Sequence, residues 1–201
     1  MKKILIIANS GWNIINFREN LLNRLNNKNY NIYISCPKDV YIEKLIINKP
    51  YSYIPLKLNR KSINPFSNIK IIFFILVLYY KIKPNYIFLY TIKPNIYGNL
   101  ASFFYFYKKK QINFITGLGT FYLTNRIIKK IVFILYKISF LCSYKVFFQN
   151  SDDQNIFIYN NIITLKKSSV IGGSGIDLKK FYFHQTKLKN NNEFVFLCAS
   201  R

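Results

Sequence analysis

Tyr86-Ile87-Phe88-Leu89-Tyr90-Thr91-Ile92-Lys93-Pro94-Asn95-Ile96-Tyr97-Gly98 decides the fold. The unbroken apolar run 86–90 reads as a buried strand, and the polar and glycine-bearing residues after it open a new apolar-periodic segment. Such groups at the C-terminal end of a strand are where open α/β sheets bind ligands. Two further strand ends carry similar equipment: Ala8-Asn9-Ser10-Gly11-Trp12 after residues 4–7, and Thr116-Gly117-Leu118-Gly119 after residues 112–115. Three such edges point to a crevice enzyme.

Working outward, short apolar runs alternate with helical patterns. Residues 4–7 read as a strand, and Ile14, Phe17, Leu21, Leu22 and Leu25 recur at helical spacing. Residues 31–36 alternate as a strand stopped by Pro37, and residues 51–58 form a weaker, proline-containing edge segment. Pro65 opens a helix through Tyr80, and Pro84 ends it. A helix over about 94–107, strand 112–115, a helix over about 122–141 and strand 145–148 follow. Ser151-Asp152-Asp153-Gln154 has the form of a capping box. The alternation predicts an α/β fold: a Rossmann-like, doubly wound parallel sheet over residues 1–170. Gly172-Gly173-Ser174-Gly175 begins a linker, 171–192, whose stretch 187–192 alone reads as disordered. Phe194-Val195-Phe196-Leu197-Cys198 renews the buried-strand pattern, so 193–201 reads as the first strand of a second, truncated domain.

The 201 residues carry 30 Lys+Arg against 7 Asp+Glu, a formal charge of +23. That charge attracts polyanions: nucleic acid, an anionic membrane surface, or a phosphorylated substrate. The abundance of Ile, Lys, Asn, Tyr and Phe, which share AT-rich codons, shares the credit for it. Cys36, Cys142 and Cys198 are scattered and lie in apolar runs, which predicts buried, reduced thiols. The apolar run after Met1-Lys2-Lys3 is too short for a signal peptide. The longest apolar stretch, 69–80, falls short of the roughly 20 residues of a spanning helix.

Individual residues leave alternatives open. Gly11 lets the backbone approach a phosphate at a helix N-terminus, or simply makes a tight turn. The same pair of readings applies to Gly117 and Gly119. Lys93 meets a bound ligand, or solvates its loop. Arg126, Lys129, Lys130 and Lys137 fall on one side of a helix, with Ile127, Ile128, Ile131, Ile134, Ile138 and Leu141 mostly on the other. That pattern suits an anionic lipid surface, or an ordinary solvated face over a buried stripe. Asp152 and Asp153 serve a helix N-terminus rather than catalysis. With no Asp-x-Asp, His pair or Cys cluster, no metal site or cofactor is expected.

Taken together, Ala8–Gly11, Asn16-Phe17-Arg18, Thr91–Gly98, Thr116–Gly119, Phe148-Gln149-Asn150 with Asp152-Asp153, and Gly173-Ser174-Gly175-Ile176-Asp177 resemble the N-terminal half of a family-4 glycosyltransferase of the GT-B fold. The likeness is greatest to the subgroup acting on undecaprenyl-diphosphate-linked sugars. It implies two Rossmann-like domains across a cleft, the N-terminal one holding mainly the acceptor. Acceptor contacts would come from Thr91, Lys93, Asn95, Tyr97, Thr116, Gly117 and Gly119, and donor-diphosphate contacts from Gly11 and Arg201. The catalytic residues stay unassigned. Many members carry a histidine in the loop at 116–119; here the only histidine is His184, and the Gly-rich form is the one the bacillosaminyl-lipid subgroup tends to carry.

The resemblance further implies metal-independent, retaining transfer from a UDP-sugar to a lipid-linked acceptor. The leaving diphosphate would help deprotonate the acceptor hydroxyl. The expected partners are therefore a nucleotide-sugar donor, a lipid-linked acceptor and an anionic membrane surface, with no nucleic acid. The expected location is cytoplasmic, peripheral at the inner face of the membrane. Because the family's donor-gripping lysine and carboxylate motif would lie after Arg201, the 201-residue chain alone is expected to transfer no sugar. Competing readings are a basic nucleic-acid-binding module, which lacks any recognisable helix-turn-helix, RNP or finger pattern, and a non-catalytic, truncated membrane-surface domain.

Overall fold

The computed structural model describes residues 1–47, 49–58, 65–119, 122, 125–182 and 196–198. Seven parallel strands form one sheet: β1 (Lys3–Ile7), β2 (Asn31–Cys36), β3 (Ser52–Pro55), β4 (Tyr86–Tyr90), β5 (Lys110–Ile115), β6 (Lys145–Phe148) and β7 (Ser168–Val170), in the order β3-β2-β1-β4-β5-β6-β7. Ile4 to Ile7 register against Ile32 to Ser35 on one side and Tyr86 to Leu89 on the other. The doubly wound parallel sheet expected from the sequence is what forms.

Among the described residues six α-helices connect the strands: α1 (Gly11–Asn27), α2 (Val40–Ile46), α3 (Pro65–Ile82), α4 (Ile92–Ser102), α5 (Arg126–Ser139) and α6 (Ser151–Tyr159). Alternation along the strands divides the core. Ile4, Ile6, Ile32 and Ile34 pack with Ile14 and Leu22 of α1 and Ile42 and Leu45 of α2. Leu5, Ile7, Ile87, Leu89, Val146 and Phe148 face the other way, against α3, α4, α5 and α6. The chain changes sides of the sheet through α3, so the winding reverses between β1 and β4. That reversal opens a crevice at their C-terminal ends.

Several local expectations need correction. Helix α2 and strand β7 went unread, because seven residues with Ile42 and Leu45 buried, and a strand reading Ser-Ser-Val, carry too little periodicity. Helix α4 starts at Ile92, two residues before Pro94, which a first turn tolerates. It ends at Ser102, and the aromatic stretch after it folds back so that Tyr105 packs against Tyr79 and Tyr80. Helix α5 starts at Arg126 because the Asn125 side chain accepts from the amides of Ile127 and Ile128, both at 3.0 Å. The cap of α6 is Asn150, not Ser151: Asn150 accepts from the Asp153 amide at 2.7 Å and donates to the Asp153 carboxylate at 3.0 Å. Gln154 instead donates to Ser168 of β7.

Of the three cysteines only Cys36 is buried; Cys142 is half-buried and Cys198 exposed. Phe196, Leu197 and Cys198 are exposed, and the rest of the stretch 193–201 read as a first strand lies outside the described residues. His184, the stretch 187–192 and Arg201 lie outside the described residues.

Candidate functional site

The three loops singled out in the sequence meet in one cleft of about 260 Å³, lined by Asn9, Leu58, Thr91, Ile92, Lys93, Thr116, Gly117 and Gly119. It sits over the C-terminal ends of β1, β4 and β5. Thr91, Lys93, Thr116, Gly117 and Gly119 are thus brought together as expected. Asn9 lay in a quoted motif without a role. Ile92 was likewise quoted without a role and Leu58 carried no signal, since apolar residues at strand ends look like core.

Thr91 precedes α4 with φ 70° and ψ 166°. That region is essentially reserved for glycine, so a β-branched residue there is under strain of about 1–3 kcal/mol. Its hydroxyl is turned back to the Tyr90 carbonyl and gives α4 no side-chain cap. The start of α4 brings the positive end of the helix dipole to the cleft that Ile92 and Lys93 line. Burial lowers the pKa of the adjoining Lys93, and a partly desolvated ammonium binds an anion more strongly than a solvated one. Gly119 (φ 70°) closes the far wall; a Cβ there would stand 2.8 Å from Ile92 Cδ1.

Asn95 and Tyr97 do not belong to the cleft lining, which corrects the expectation that they meet the acceptor. Asn95 is fully buried; its Nδ2 donates to the Phe114 carbonyl at 3.0 Å and its Oδ1 accepts from Asn113 at 2.8 Å. Asn113 is joined in turn by Ser143 at 2.8 Å. This seam locks α4 to β5. Tyr97 lies in the apolar core, and burial raises its pKa. Both positions sit one turn into the helix, where the sheet and not the cleft is the neighbour.

Gly11 also needs revision. Its amide donates to Asp39 Oδ2 at 2.8 Å, and the Trp12 amide to the same oxygen at 3.3 Å. The anion at this helix N-terminus is the protein's own carboxylate. A Cβ on Gly11 would lie 2.2 Å from Asp39 Oδ1 and 2.6 Å from the Ile42 backbone nitrogen, so the glycine permits packing of α1 against α2.

Arg18, quoted within a motif but given no role, is 6% exposed. Its guanidinium lies 4.4 Å from the centroid of Tyr90 and donates to Ser174 Oγ at 3.0 Å. Gln149 donates to the same hydroxyl at 2.6 Å. The Arg18 Nε has no hydrogen-bond partner among the described residues, and burial lowers the group's pKa. The glycine-rich segment after β7 is thereby tied to α1 and β6 at the cleft edge of the sheet.

The basic helix presents a second feature. Arg126, Lys129, Lys130, Phe133, Ile134 and Lys137 line a groove of about 430 Å³ with Asn160 and Ile162. Of the two readings open for this helix, the solvated face over a buried stripe does not hold: Ile127, Ile131, Ile134, Ile138 and Leu141 are all exposed. Within α5, Tyr136 and Ser139 are the buried residues. The exposed stripe follows the spacing i, i+4, i+7, i+11 and i+14, with Arg126, Lys130 and Lys137 alongside it. Lys129 departs from that row; its ammonium lies 3.5 Å from the Tyr122 ring centroid. Among the described residues no helix is long and apolar enough to cross a membrane.

Residues 3–150 match the family described as Glycosyl transferase 4-like. Over 188 residues the chain is 27% identical to the N,N'-diacetylbacillosaminyl-diphospho-undecaprenol alpha-1,3-N-acetylgalactosaminyltransferase of Campylobacter jejuni, covering 90% of this chain and 48% of that one. The chain thus spans about half the length of this curated relative. Among solved structures, Anabaena HepE in complex with UDP and glucose superposes with a TM-score of 0.60 at 14% identity, over 89% of this chain and 46% of that one. UDP-GlcNAc 2-epimerase of Neisseria meningitidis bound to UDP-GlcNAc gives 0.60 at 15% identity, over 86% and 47%. At these identities the structural likeness establishes the fold alone.

Proposed function

The chain belongs to the glycosyltransferase 4-like family, and from that premise we propose that it forms the acceptor-binding half of an enzyme that transfers a sugar from a UDP-sugar to a polyprenyl-diphosphate-linked saccharide. The observation that carries the proposal is the convergence of the three predicted loops on one cleft at the β1/β4 reversal, with Lys93 beside the uncapped start of α4. Hydroxyls and amides of Thr91, Asn9 and Thr116 suit sugar hydroxyls, and the Lys93 ammonium at the positive end of the α4 dipole suits a diphosphate. The name of the Campylobacter relative, whose acceptor is diphospho-undecaprenol-linked, supports that substrate class.

Within the proposal the chemistry is retaining and metal-independent. The cleft positions the acceptor hydroxyl against a donor bound mainly by the other half of the enzyme. Departure of the donor diphosphate supplies the basic oxygen that takes the hydroxyl proton, so the acceptor half contributes orientation and electrostatic stabilisation. Arg201 keeps its proposed part as a donor-diphosphate contact. Gly11 does not, since its amide is engaged by Asp39.

The proposal includes peripheral attachment to the cytoplasmic leaflet through α5. An exposed Ile/Leu stripe beside Arg126, Lys130 and Lys137 suits an anionic lipid surface, where acyl chains receive the stripe and headgroups the cations. A nucleic-acid surface would leave those isoleucines in water. The test is catalytic: the chain is mixed with a family-4 donor-binding half, a UDP-sugar and a polyprenyl-diphosphate saccharide on vesicles. Sugar transfer that requires both halves and is reduced at least ten-fold by Lys93→Ala supports the reading. Transfer indifferent to Lys93→Ala and Thr116→Val contradicts it.

A further inference from the structure

We infer that α3 is a second membrane-contacting element, coplanar with α5, so that the whole α3–α4–α5 layer rests flat on an anionic lipid leaflet. This rests on the reading of α5 as a membrane surface. The inner residues of α3, including Ile75 and Tyr79, share one core cluster with Tyr136 of α5, so both helices pack on the same sheet face. Their outward stripes consequently point the same way. On α3 that stripe is Ile69, Phe73, Val77 and Tyr80, all exposed, with Phe73 at 67%. An ordinary solvated helix face is polar at these positions. Phe104 and Phe106, just past α4, extend the exposed apolar surface, and Phe106 is 86% exposed.

Charge names the occupant. From Lys44 to Ser151 the sequence contains no Asp or Glu, so the α3–α4–α5 layer is free of acids while Lys70 and Lys81 of α3 and Lys130 and Lys137 of α5 accompany the apolar stripes. Helix α4 lies between, contacting both neighbours, and eight of its eleven residues are buried. With helix axes about 8–10 Å apart at each contact, α3 and α5 form two ridges about 16–20 Å apart. A flat surface with an apolar interior and anionic headgroups meets both ridges at once; a single docked helix would fill only the space between them.

The chain's single tryptophan, Trp12, lies on α1, on the opposite sheet face. In a Trp12→Phe background, Phe73→Trp and Ile134→Trp give one reporter each at exposed positions that leave the core intact. Phosphatidylglycerol vesicles with acyl-chain-brominated lipid should quench both reporters at least two-fold and leave Trp12 of the unmodified chain unquenched. Phosphatidylcholine vesicles should quench neither. Quenching of Ile134→Trp alone would overturn the role of α3 while sparing that of α5, whereas quenching of neither reporter would remove both. A concentration-dependent shift of the Phe73→Trp emission without lipid, accompanied by dimerisation, would assign the face to a second copy and overturn the inference.

Discussion

The Asp39 carboxylate joins two helices at once: it accepts the Gly11 amide of α1 at 2.8 Å and the Ile42 amide of α2 at 2.9 Å. Asp39→Ala removes both connections and should lower stability by about 2 kcal/mol, each lost cap costing roughly 1 kcal/mol. Gly11→Ala should cost about 1–3 kcal/mol through overpacking, because the new methyl meets Asp39 and the α2 backbone. Urea unfolding followed by circular dichroism measures both. A neutral Gly11→Ala would contradict the close packing.

Thr91 supplies a contrast between stability and function. Thr91→Gly relieves a backbone conformation that only glycine adopts freely, offset by about 0.4–1 kcal/mol of added freedom in the unfolded chain. The expected net effect on the urea midpoint is zero or stabilising, while ligand binding in the cleft weakens because the loop loses its fixed form. Destabilisation above about 1 kcal/mol would show that Thr91 is not strained.

Arg18 carries a buried charge that makes no ion pair among the described residues. Exchange of such a group for an apolar one is often neutral or stabilising. Arg18→Met should therefore leave global stability unchanged or raised while the tie to Ser174 is lost. Amide hydrogen exchange across residues 172–178 should accelerate at least several-fold, and Ser174→Ala should reproduce that change. Unaltered exchange in both variants would refute the tie.

Alkaline behaviour follows from buried thiol and phenol groups. Burial pushes Cys36 up to about 12 from 9.0, and Tyr53 and Tyr105 up to about 12 from 10.0. Tyr79 and Tyr136 move in the same direction. The unfolded chain gives up these protons first, so the folded state holds its full advantage below about pH 9 and loses it as pH rises toward about 12. The urea midpoint should fall between pH 9 and 11, with tyrosinate absorbance at 295 nm lagging that of free tyrosine. A constant midpoint to pH 11 would contradict this.

The sheet was legible because β1, β4 and β6 carry apolar runs and β2 and β5 alternate apolar with polar residues, and the alternation of such strands with helices admits few topologies. The cleft was legible through its loops, since glycine and hydroxyl residues after buried strands stand out. Asn95 and Tyr97 were misassigned because a motif fixes the start of a helix but not which way its second turn faces. Gly11 was misread because Asp39, which fills the anion position, is 28 residues distant and joined to it only by the fold. The two readings of the α5 stripe stayed open in the sequence for a related reason. Amphipathic spacing gives the angle between two faces, while burial depends on which of them the neighbouring helix covers.

In the proposed function the cleft bounded by Thr91, Lys93 and Thr116 receives a diphosphate-linked sugar acceptor. The most direct measurement is isothermal titration of the chain with a short-chain polyprenyl-diphosphate N-acetylhexosamine, compared with a UDP-sugar. Saturable acceptor binding is expected, weakened at least ten-fold by Lys93→Ala and little affected by Arg126→Gln, with far weaker binding of the UDP-sugar. Acceptor binding indifferent to Lys93→Ala, or tight UDP-sugar binding without acceptor binding, would contradict the proposal.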